Sequence, residues 1–138
     1  MRNKRIIRGA GTIIIIVSVF TLIYLQNGRS MLVYSSHSMS ASNCHEENLI
    51  VVANKLFIPD RERCAKEIVK RCRENDFDNI LFSYDYAVPN ALYVTVYCSE
   101  WAVRNGSPAF EMSYTQPKED SFQYNIVDDP QHFRLEIK

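Results

Sequence analysis

From residue 9 to residue 28 the chain carries no charged side chain. Within that run Ile13, Ile14, Ile15, Ile16, Val17, Val19, Phe20, Leu22, Ile23 and Leu25 make the middle almost wholly apolar. A helix rises about 1.5 Å per residue, so about 20 such residues span the roughly 30 Å of a bilayer's hydrocarbon core. β-branching lowers helix propensity in water. In lipid, every backbone N–H and C=O must bond within the segment, and a helix achieves that. The run predicts a transmembrane signal-anchor helix over residues 9–28, in contact with membrane lipid.

The flanking charges give the helix a direction. Arg2, Lys4, Arg5 and Arg8 precede it with no acid among them, and only Arg29 follows closely. Positive charge stays on the cytoplasmic side, so residues 1–8 are expected in the cytoplasm and all that follows the helix outside it. Tyr24 falls where an interfacial aromatic belt would place it. The competing reading is a cleaved signal peptide that would release a secreted domain, since it shares the basic start and apolar middle. No small-x-small pair directly follows Leu25, and Ser38-Met39-Ser40 lies well beyond the apolar run. The sequence therefore favours an uncleaved anchor in the cell membrane.

This topology bears on composition. The 16 basic and 16 acidic residues cancel, but residues 1–29 hold five of the basic ones and none of the acids. The remainder is acidic by about five charges, which argues against nucleic acid as a partner, because phosphate binding needs a basic face. Residues 29–48 contain Ser30, Ser35, Ser36, Ser38, Ser40 and Ser42 and read as a serine-rich tether. Residues 49–138 are then the extracytoplasmic domain, long enough for one core.

Within that domain, residues 49–53 are apolar and largely β-branched, as in a buried strand. Pro59 and Asp60 open a helix, with apolar Cys64, Ala65, Ile68, Val69 and Cys72 on one face and Asn75-Asp76 ending it. The period then changes to two. Alternation over residues 80–86, 92–98, 110–115, 122–126 and 133–137 predicts five more strands, separated by turns at Pro89-Asn90, Asn105-Gly106 and Asp128-Asp129-Pro130. The expected fold is α+β in the order β-α-β-β-β-β-β, with one amphipathic helix on a largely antiparallel sheet. One helix covers one face, which leaves Tyr93, Thr95 and Tyr97 to line the other.

All four cysteines, Cys44, Cys64, Cys72 and Cys98, follow the anchor, where disulfides form and persist. Cys64 and Cys72 lie about 12 Å apart along one helix, beyond the roughly 7 Å a disulfide tolerates. If every strand after the helix alternates in direction, Cys98 meets Cys72, with Cys44–Cys64 following by elimination. Cys44–Cys72 is the alternative, leaving Cys64 and Cys98 unpaired, and the plain reading is that Cys64, Cys72 and Cys98 are buried free thiols on apolar faces.

No catalytic, cofactor or metal site is expected. Cys44-His45-Glu46-Glu47 crowds four polar groups into one stretch, but a metal needs ligands converging from separate directions, and His132 and His37 lie elsewhere. No nucleophile elbow, phosphate loop or zinc-protease helix occurs. The aromatic residues suggest a contact patch for a protein or glycan partner, with Tyr93, Tyr97 and Trp101 as its members. The leading expectation is a membrane-anchored, non-enzymatic interaction or structural module. Two others remain: an accessory subunit of a larger membrane or envelope complex, and a small exported enzyme built on Cys44, His45 or His132.

Overall fold

The computed structural model describes residues 2–117 and 122–138, with the side chains of residues 2–6 and 8 left aside. The apolar run forms helix α1 (Arg2–Asn27), of which Gly9–Asn27 is long and apolar enough to cross a bilayer and has no buried residue. A mixed α+β domain follows. Its elements are β1 (Leu32–Ala41), β2 (Cys44–Val52), α2 (Arg61–Glu74), β3 (Ala91–Tyr97), α3 (Glu100–Arg104), β4 (Phe110–Thr115), a 3-10 turn (Pro130–His132) and β5 (Arg134–Ile137). Among the described residues the sheet has five strands in the order β1-β2-β3-β4-β5.

All neighbouring pairs are antiparallel except β2 and β3, which run parallel and are joined through α2. Parallel neighbours need such a crossover, because a tight turn can only reverse the chain. α2 is well specified. The Asp60 side chain accepts from the Arg63 N–H at 2.9 Å, and Asn75 stops the helix in the left-handed region at φ 54°. Cys64, Ala65, Ile68, Val69 and Cys72 are all buried, as the apolar spacing predicts. They face Leu49 and Val51 of β2, Leu92, Val94 and Val96 of β3, and Phe110, Met112 and Tyr114 of β4 in one core. Tyr93, Thr95 and Tyr97 point to the opposite, more open face.

Three expectations are corrected. The serine-rich segment is not a tether: it is β1 and the start of β2, a hairpin turning at Ser42 with φ 54°. Residues 34–41 are exposed on both faces, so the strand carries no hydrophobic alternation, while Met31 and Val33 at its start are core residues. Residues 80–86 form no strand: Ile80 makes an isolated bridge to Phe77, and residues 84–86 are a turn. β2 already pairs on both edges, and the backbone of Phe82 is satisfied by one side chain, with its N–H donating to Asn75 Oδ1 at 2.7 Å and its C=O accepting from Asn75 Nδ2 at 2.8 Å. The third correction concerns residues 122–126, which likewise make no strand. There the Tyr124 carbonyl accepts from Asn90 and Gln116 at 2.8 Å each, and fully buried Ile126 donates its N–H to Pro89. The short helix α3, capped by Ser99, was not expected. The Asn105-Gly106 turn lies at its end, with Gly106 at φ +61°.

Candidate functional site

The end of α1 is built into the domain. Gln26, in its last turn, accepts from the N–H groups of Leu56 and Phe57 at 2.9 and 3.3 Å and donates Nε2 to the Phe57 carbonyl at 2.9 Å. Lys55 Nζ donates to the Gln26 carbonyl at 3.3 Å, and Asn54 Nδ2 to the Ser30 carbonyl at 2.7 Å. The Arg29 guanidinium donates twice to the Leu25 carbonyl, satisfying the C-terminal end of the helix, where the partial charge is negative. Residues 54–58 thus fold back onto the place where the apolar helix stops.

A cavity of about 450 Å³ opens at this junction, between the end of α1 and the start of α2. Arg29, Lys55, Arg63 and Arg71 line it, against Asp60 and Glu67. Asp60 is engaged as the cap of α2, and Glu67 pairs with Arg71 at 3.0 Å. Among the described residues no carboxylate pairs with Arg29, Lys55 or Arg63. The junction is therefore electropositive although the domain as a whole is acidic.

Cys64 lines the same cavity. Burial pushes its thiol up to about 11, opposed by Lys55 and reinforced by nearby Cys98. Cys98 adjoins the junction too, because its carbonyl accepts from the Lys55 N–H at 3.0 Å. Cys72 is at the other end of α2, fully buried, pushed up to about 12 by burial and by Glu47. All four cysteines are free. The expected Cys72–Cys98 neighbourhood is not what the fold makes: β3 runs parallel to β2, so Cys98 emerges beside Cys64, not Cys72. Cys44 is half-buried at the hairpin, its Sγ 3.5 Å from Glu46 Oε1, and far from forming a set with the others.

A second polar constellation occupies that opposite end. Glu47 is only 4 % exposed, on the core face of β2. Its Oε2 accepts from Ser38, while Oε1 has no hydrogen-bond partner among the described residues. A cavity of about 270 Å³ lined by Ser36, Ser38, His45, Glu47 and Tyr84 lies against it. His45 Nδ1 contacts Ser40 Oγ, not Glu47, so the serines, the histidine and the acid form two separate pairs rather than one relay. His132 stacks on Tyr124 with ring centroids 3.6 Å apart. Among the described residues no group of three or more His, Cys, Asp or Glu side chains is arranged to hold a metal.

The aromatic trio divides. Tyr93 and Tyr97 share the open sheet face, Tyr93 being 40 % exposed with its hydroxyl pKa raised by burial, Glu46 and Cys44. Trp101 is 72 % exposed on α3, beyond the end of β3 and so at the α1 end of the domain. Sequence periodicity grouped these three by nearness along the chain. It held no signal for the junction, which joins Gln26 to residues some 30 positions away.

Compared with known proteins, the chain matches no family model, no curated protein and no solved structure.

Proposed function

We propose that this chain is a single-pass membrane protein, anchored through residues 9–28 with its N-terminus cytoplasmic, whose extracytoplasmic domain is a non-enzymatic interaction module. One observation carries the reading: the fold begins in the last turn of an exposed apolar helix, through the Gln26 hydrogen bonds to residues 56–57. A signal peptide is normally separable from the domain it exports. Here the Ser38-Met39-Ser40 segment lies inside β1, and a cut there would remove Met31 and Val33 from the core. The basic residues before the helix supply the orientation.

The interaction surface is the uncovered side of the sheet together with its β1 edge. Tyr93 and Tyr97 offer amphipathic area on the open face. Among the described residues β1 has no strand on its outer side and, apart from His37, no ionisable side chain except Tyr34. Protected edges normally carry lysine, proline or a bulge along their length. β1 has a bulge only near Val33–Ser35, where Asn79 also bonds both backbone groups of Val33. The remaining edge suits an extended segment of a partner protein, which would add as a further strand.

Photo-crosslinking residues placed at Tyr93, Tyr97 and Ser36 of the full chain in native membranes test this. Discrete protein adducts from these positions, with none from Lys66 on α2, support an interaction module. Absence of adducts at all three, or equal labelling from Lys66, speaks against it.

A further inference from the structure

We infer that the α1 end of the domain is a second membrane-contacting surface, seating Leu56, Phe57 and Trp101 at the lipid interface and Arg29, Lys55 and Arg63 against anionic phospholipid headgroups. The inference rests on the reading of α1 as a membrane span and goes beyond it, because a spanning helix alone leaves the domain free to tilt.

Position comes first. The Gln26 clasp and the Asn54–Ser30 bond hold residues 54–58 at the level where the apolar helix ends. Leu56 and Phe57, consecutive and large, are 46 % and 60 % exposed there. The parallel β2–β3 register brings α3 to the same end, with the Ala53 N–H donating to the Tyr97 carbonyl and the Lys55 N–H to the Cys98 carbonyl. Trp101 on α3 is the chain's only tryptophan and is 72 % exposed. Tryptophan favours the headgroup level, where its ring is half in hydrocarbon and its N–H meets water or phosphate.

Charge points the same way. The junction cavity presents three cations without carboxylate partners among the described residues, beside the start of α2. An acidic domain would be repelled by an anionic surface. Basic residues concentrated at the one end that meets the surface reverse that locally and fix which way the domain faces. A protein partner could cover exposed apolar side chains as well, but the bilayer is the surface continuous with the anchor itself.

The single tryptophan makes the test direct. The full chain is reconstituted in lipid vesicles of phosphatidylcholine, alone or mixed with phosphatidylglycerol, with lipids brominated high on the acyl chain as quenchers. Trp101 is expected to show blue-shifted, quenched emission, more strongly with the anionic lipid. Leu56→Ser with Phe57→Ser should weaken the quenching in both lipids, and Lys55→Gln with Arg63→Gln should remove only the anionic increment, circular dichroism confirming that each variant is folded. An inserted chain whose Trp101 emits as aqueous indole and is not quenched overturns the inference while leaving the anchor standing. Quenching indifferent to anionic lipid and to the Lys55 and Arg63 substitutions overturns the headgroup contact. A chain that separates from the vesicles defeats the anchor reading itself.

Discussion

Replacing Gln26 by alanine removes one side chain that closes three hydrogen bonds, to the N–H groups of Leu56 and Phe57 and to the Phe57 carbonyl. A typical intramolecular hydrogen bond contributes about 0.5–1.5 kcal/mol net. These are exposed to solvent and one is 3.3 Å long, so the low end applies, or about 1.5–2 kcal/mol for the set. The loss is local, because the Ala53–Tyr97 and Lys55–Cys98 backbone bonds still hold the segment's base. Hydrogen–deuterium exchange of the full chain in nanodiscs should therefore show the Leu56 and Phe57 amides exchanging on the order of 10–30-fold faster, at tenfold per 1.4 kcal/mol. Amides of β3 should not change. Gln26→Glu keeps the acceptor and loses the donor, so most of the protection should survive. The reasoning is refuted if these two amides exchange at free-peptide rates in the unmodified chain, or if alanine leaves them as slow as glutamine does.

Other consequences follow from named contacts. Asn75→Ala loses both bonds to Phe82 and forces alanine into the left-handed region, whereas Asn75→Gly loses only the bonds. Thermal unfolding should rank them wild type, glycine, alanine, with alanine about 2–3 kcal/mol below wild type and glycine about 1 kcal/mol above alanine. Alkaline pH should weaken the fold. Burial raises Cys64 and Cys72 from 9.0 to about 11 and about 12 and raises Tyr84 as well, so the unfolded chain releases these protons first. Stability is full below the ordinary thiol value and declines as pH rises through the folded values. Urea midpoints should fall across that window, less steeply in Cys72→Ala, and a flat profile would contradict the burial. Oxidised glutathione, reduced to two thiols as it takes two electrons and two protons from a cysteine pair, should join Cys64 to Cys98. A Cys72–Cys98 peptide on mapping would contradict the parallel register.

The parts legible in the sequence were those whose burial repeats with the period of the element. α2 declared its buried face and both caps locally, and β3 and β4 alternated between core and open face as expected. β1 was missed because an edge strand exposed on both faces has no pattern, and its serines read as a linker. The stretches at 80–86 and 122–126 erred the other way. Ile80, Phe82 and Tyr124 pack against the core at alternating positions, but side-chain amides of Asn75, Asn90 and Gln116 serve their backbone in place of a neighbouring strand. No local signal marked β2 and β3 as parallel, and that one fact decides which cysteines are neighbours and brings Trp101 to the α1 end. The junction itself depends on Gln26 meeting residues 56–57, a tertiary contact that periodicity cannot contain.

The anchored, outward-facing topology is tested most directly by the mass of the protein recovered after intact cells are treated with a membrane-impermeant maleimide. Cysteine is absent before and within α1, and half-buried Cys44 lies at the hairpin far from the helix end, so the chain carries its own reporter. The account predicts an uncleaved species that still contains residues 9–28, retained in alkali-washed membranes and carrying the adduct without permeabilisation. A species beginning near residue 40, or an adduct that forms only after lysis, would contradict it.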